Sequence, residues 1–106
     1  MARYLFVGSY TAEGIKGVLA TGGTARRDAI ASMVSNLGGT VESFYFAFGQ
    51  DDAYAVMDLP DNVNAAAAAM AVAASGVASV KTVVLLSPEE VDRAAQVQVG
   101  YRPPGA

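Results

Sequence analysis

Four tyrosines, one lysine and a pair of adjacent aspartates are the side chains in this sequence best suited to chemistry. Tyr4, Tyr10, Tyr45 and Tyr54 each alternate with apolar residues, and Lys81 interrupts a further apolar stretch. A lysine in mid-strand needs a counter-charge, for which Asp58 or Asp52 is available. If a cavity opens between a sheet and its helices, phenols and one such pair can orient an aromatic or enolisable substrate. A lysine or carboxylate with a shifted pKa then serves as the base. The same residues fit core packing equally well, with phenol hydroxyls reaching the rim and an ion pair at a subunit contact.

Two weaker constellations stand beside these. Asp51-Asp52 offers two carboxylates where a hard cation takes about six oxygens, so it reads as turn chemistry and no metal is expected. Gly22-Gly23-Thr24 precedes a helical stretch bearing Arg26 and Arg27, which suits an anion. It lacks the Gly-Lys-Ser/Thr ending of a phosphate loop, and a helix cap with solvated arginines is the plainer account. The ligand-binding candidates are therefore Tyr4, Tyr10, Arg26, Tyr45, Asp52, Tyr54 and Lys81.

Absent residue types exclude more than the present ones assign. The chain has no histidine and no cysteine, which removes disulfides, thiol catalysis, a Ser-His-Asp triad and the usual zinc and haem ligands. No cofactor is expected. The net charge is -3 and Arg26-Arg27 is the sole basic pair, so neither nucleic acid nor an anionic membrane surface is an expected partner. The opening MARYLFVGSY is too short an apolar run for a signal peptide. The longest apolar run, Ala65 to Ala74, falls short of the roughly 20 residues that span a bilayer. The expected location is the cytoplasm.

The elements that must position these residues follow from periodicity and punctuation. A strand is predicted from Ala2 to Tyr10, then an irregular connector from Thr11 to Leu19, because Gly14 and Gly17 each cost a helix about 1 kcal/mol. Thr24 is a suitable cap for a helix whose buried stripe is Ala25, Ala29, Ile30, Met33, Val34 and Leu37. Gly38-Gly39 ends it. Val41 to Phe48 and Ala53 to Leu59 read as a hairpin around Gly49-Gln50-Asp51-Asp52. Strict alternation puts Glu42, Phe44, Phe46 and Phe48 on one face, and Val41, Ser43, Tyr45 and Ala47 on the other. Asp61 caps an alanine-rich helix that Gly76 stops, and Val77 to Leu86 is the fourth strand. Ser87-Pro88-Glu89-Glu90 carries a capping box for a last short helix.

This is a ferredoxin-like βαββαβ order plus a terminal helix: an α+β fold with helices on one face of a four-stranded antiparallel sheet. Neither hairpin strand has a fully polar face, and 53% of the chain is hydrophobic, so the second sheet face needs a cover. A second copy of the chain, as a homodimer or a ring of dimers, is the expected cover. A chain of 106 residues without a composition break is one domain. Its expected bounds are residues 1–98, with 99–106 a flexible tail.

The residues Gly8-Ser9-Tyr10-Thr11, Gly23-Thr24-Ala25-Arg26-Arg27 and Phe44-Tyr45-Phe46-Ala47-Phe48-Gly49 with Asp52 resemble the GYD-domain family. So do Asp58-Leu59-Pro60-Asp61, Ala74-Ser75-Gly76-Val77, Lys81-Thr82 and Ser87-Pro88-Glu89-Glu90, and the likeness runs from about Arg3 to Arg93. It implies a dimeric α+β barrel, two sheets closing face to face into eight strands. That group includes cofactor-independent monooxygenases, muconolactone-type isomerases, haem dismutases and ring-forming stress proteins. Fold is what such a resemblance carries. Two functions follow as alternatives: a small-molecule enzyme or binder, or a non-catalytic structural or stress-related assembly. The first needs a cavity of at least a few hundred Å³ lined by several tyrosines. The second fills that space with Phe44, Phe46, Phe48, Met33 and Met70. Family members typically carry Tyr before the Asp of the hairpin turn, where this chain has Asp51.

Overall fold

The computed structural model describes residues 1–106. The alternating first segment forms β1 (Ala2–Tyr10), followed by α1 (Ala12–Thr21) and α2 (Gly23–Asn36). The hairpin is β2 (Thr40–Phe46) and β3 (Ala53–Leu59), and the remainder is α3 (Asn62–Ala74), β4 (Ala78–Leu85) and α4 (Pro88–Ala95). The strands form one antiparallel sheet in the order β2-β3-β1-β4, with the two long connections packed as helices on one side. This is the ferredoxin-like arrangement. No helix is long and apolar enough to cross a membrane.

The helix-facing side of the sheet makes the core. Tyr4, Phe6, Ala55, Met57 and Leu59 meet Val34 from α2 and Ala65 and Ala68 from α3. Alanine at the last two positions lets α3 lie close to the strands, which a larger side chain would hold off. Asp61 caps α3 by accepting from the Asn64 amide at 2.9 Å. Ser87 and Glu90 close the capping box of α4 in both directions.

Three local expectations change. The segment after β1 is a helix, not a connector. Thr11 caps it, accepting from the Gly14 amide at 3.2 Å while its own amide donates to the Val77 carbonyl at 3.0 Å. A Cβ on Gly14 would lie 2.0 Å from that Val77 carbonyl oxygen, so the glycine that weakens the helix is what lets it dock. Next, α2 is capped not by Thr24 but by Gly22, whose φ of 90° suits glycine alone. The amide of Gly22 still donates back to Val18 at 2.7 Å, so α1 and α2 meet at a single residue. Finally, β2 carries a bulge: Val41 pairs with Met57 and Ser43 with Val56, leaving Glu42 unpaired between them. The slip moves Val41 onto the helix-facing side with Phe44 and Phe46. Because β2 ends at Phe46, Phe48 belongs to the loop and is exposed.

The C-terminal segment behaves differently from the rest. Every residue from Val91 to Ala106 is exposed. The radius of gyration is 16.9 Å, against about 13 Å for a compact chain of this length. The larger value accords with a C-terminal segment whose residues are all exposed from Val91 on.

The two glycines of α1 separate packing from propensity. Gly14→Ala should destabilise the fold by about 1–3 kcal/mol through overpacking. Gly17 has open space where its Cβ would be, so Gly17→Ala should be neutral or stabilising by up to about 1 kcal/mol. Urea denaturation midpoints of the two variants test this, and equal midpoints would refute the Gly14 contact.

Candidate functional site

The site is assembled where the β2–β3 loop folds across the end of β1. The Asp52 amide donates to the Gly8 carbonyl at 2.8 Å, and its carboxylate accepts from the Tyr10 amide at 2.8 Å. The Ala47 amide closes the loop on the Asp52 carbonyl at 2.9 Å. Beside it, Asp51 accepts from the Ser9 hydroxyl at 2.7 Å and lies 3.4 Å from the Lys81 ammonium. The counter-charge of Lys81 is thus Asp51, not Asp52 or Asp58. Asp58 is occupied by Arg3 at 3.0 Å, and Arg3 also reaches Glu42 at 2.8 Å.

With the end of β1 held in this way, the Tyr10 ring stands on the helix-facing side. It stacks on Phe46 at a centroid distance of 6.4 Å, and Phe46 meets Phe44 edge-on at 5.2 Å. A Cβ on Gly23 would come within 2.9 Å of the Phe46 ring, so the first turn of α2 rests on that ring through a glycine. One turn on, Arg26 lies over Tyr10, its guanidinium carbon 5.5 Å from the ring centroid and its Nε donating to the phenol oxygen at 3.1 Å. The cation–ring contact and the hydrogen bond together hold the guanidinium against Tyr10.

Behind this pair is a cavity of about 50 Å³ between the sheet and the helices. Its floor is Phe6, Gly8, Ala53, Ala55, Ala78 and Val80, and its walls are Ile30 and Met33 of α2 with Val72 of α3. Tyr10 and Arg26 are the only polar side chains around it. Past Arg26 a second, shallower cleft of about 270 Å³ opens between α1 and α2, bordered by Glu13, Gly14, Gly17 and Thr21. No three metal-ligating carboxylates converge anywhere in the chain.

Among the candidates read from sequence, Tyr10 and Arg26 come together at the cavity mouth, with Asp52 holding Tyr10 from behind. Tyr4 is buried at the other end of the core, donating to the Asn62 side chain at 2.6 Å. Tyr45 and Tyr54 pair across the hairpin on the opposite sheet face, which Lys81 shares. The four tyrosines therefore do not line one cavity within a chain. The loop phenylalanine Phe48 and Met70 do not fill the space either; both are exposed. Sequence reasoning missed the floor. Its signal is four small inward residues that the register makes neighbours: Gly8 opposite Ala53, with Ala55 and Ala78 alongside.

A model of one protein family, described as GYD domain, matches residues 4–95. No curated protein and no solved structure matches the chain.

Acid should loosen the loop that builds the mouth. The Asp51 carboxyl is held below its ordinary value of 3.8, first by the Ser9 hydroxyl and then by Lys81 against an opposing desolvation. Its folded pKa lies below the unfolded one, so its contribution is present above the unfolded value and lost as pH falls through the folded value. Stability to urea should decline on acidification below about pH 4, and less steeply in Asp51→Asn. Asp61 and Glu90 are shifted in the same direction and add to the slope in both proteins. Parallel pH profiles for wild type and variant would show that Ser9 and Lys81 do not hold this carboxylate.

Proposed function

We propose that this chain, which belongs to the GYD-domain family, binds a small apolar molecule between its sheet and α2 and acts as a homodimer or ring of dimers joined through open sheet faces. The cavity carries the binding reading. A volume of about 50 Å³ is several times what one ordered water needs. Tyr10 and Arg26 also border the α1–α2 cleft of about 270 Å³, space toward which a ligand larger than the inner cavity can extend. The apolar lining and two convergent polar groups at the mouth fit the same description.

The lining supports binding more directly than turnover. A phenol and a guanidinium donate hydrogen bonds and orient a ligand, whereas abstraction of a proton needs a base within reach. No carboxylate or lysine borders the inner cavity. Cofactor-independent oxygenation or isomerisation there would draw its base from the ligand or from another subunit.

The open sheet face supports the self-association. Leu5, Val7, Val56 and Val83 lie on it at neighbouring register positions. Polar groups stand at either end of β1: Arg3 with Glu42 and Asp58 at one, Lys81 with Asp51 at the other. An apolar centre with a charged rim is the anatomy of a subunit interface. The exposed α4 favours a second reading, a non-catalytic assembly protein in which the same contacts form and the cavity stays empty.

Native mass spectrometry separates these. Even-numbered assemblies with a small adduct lost on denaturation are expected, and even-numbered assemblies without one favour the second reading. Val72→Phe should fill the cavity and remove the adduct while assembly persists. Val83→Asp should shift the distribution to single chains. A wild-type protein that stays a single chain without an adduct would overturn both readings.

A further inference from the structure

Resting on the cavity reading above, we propose that the ligand is a monocarboxylate: its apolar chain enters the sheet–helix cavity and its carboxylate pairs with Arg26. Three observations converge. Arg26 makes no salt bridge within the chain; the cations that do are Arg3, Arg27 and Lys81. Its one side-chain hydrogen bond is the Nε contact to Tyr10, which leaves both terminal nitrogens without a protein partner. Arg26 also lines both the apolar cavity and the α1–α2 cleft, so it stands beside both spaces.

A half-buried cation beside apolar walls gains from an anion more than a solvated one does, because the surroundings screen the pair less. Arg26 is also preorganised. Tyr10 holds its Nε side, and the planar fork left free matches the two oxygens of a carboxylate. The charge count sets the class. Arg27, the adjacent cation, is paired with Asp28 at 3.1 Å. At the inner cavity, which Glu13 does not border, one free guanidinium balances a single negative charge, and a dianion such as a phosphate ester would keep one unmatched. A ligand amine is disfavoured as the recognised group. Glu13 borders the outer cleft but not the inner cavity, so an ammonium drawn to it would leave the apolar chain outside.

Methyl NMR titration at neutral pH tests the class with two probes of one shape, valerate and pentan-1-ol, read at the methyl groups of Met33, Met57 and Ile30. Valerate should bind about tenfold more tightly, as one charge-assisted hydrogen-bonded pair supplies. Arg26→Gln should abolish the preference without weakening pentan-1-ol. If that variant does not fold, Tyr10→Phe replaces it; loss of the phenol that holds Nε should weaken valerate severalfold and leave pentan-1-ol unchanged. Equal affinities in the wild type, or a valerate preference that the variant used does not reduce, would overturn the carboxylate and leave the cavity standing. Shifts from neither probe would overturn the carboxylate and the cavity reading together.

Discussion

The double attachment of Asp52 to the end of β1 is the constraint on which the site depends. Its amide and carboxylate take the Gly8 carbonyl and the Tyr10 amide, so one residue fixes both the loop and the last turn of the strand. From there the dependencies run in order. Tyr10 is set against Phe46, Phe46 requires a glycine at the start of α2, and that start sets the phase of the helix. Residues 26, 30 and 33 then fall on one side at helical spacing. Arg26 arrives at the mouth, and Ile30 and Met33 at the wall. A hydrogen-bonded clasp, rather than the hydrophobic core, therefore aligns the candidate site.

The hollow behind it has a separate cause. Sheets of this kind fill their inner face with large side chains, as this one does at Tyr4, Phe6, Met57 and Leu59. Between Gly8, Ala53, Ala55 and Ala78 the strands present almost no side-chain volume, and α2 and α3 do not close the gap. Met33 and Met57 border it, and their unbranched, flexible chains can move to suit an occupant.

Much of this fold is legible in the sequence. β1 and β3 follow from alternation, and α3 and α4 from Asp61 and the Ser87–Glu90 box, because those signals are local. The misread parts depend on distant partners. α1 forms despite Gly14 because the Val77 carbonyl, over sixty residues away, occupies the space a Cβ would need. The bulge at Glu42 answers to the pairing with β3 and to Arg3. The partner of Lys81 is Asp51 because Arg3 already holds Asp58. For the site, Arg26 and Tyr10 were visible as separate candidates. Their contact was not, since it requires the loop, the strand end and the helix phase together. The small-residue floor was readable only once the strand register was known.

α4 lies within the matched family domain, yet every one of its residues from Val91 on is exposed. A helix of eight residues is below the length at which helices persist alone in water, even with a good cap. Its order is therefore a variable rather than a constant of the fold, governed by whatever meets Val91 and its neighbours from outside. Amide exchange along residues 88–95 would then act as a gauge of occupancy. Slow exchange in concentrated solution and fast exchange on dilution would mark a segment that folds only in company.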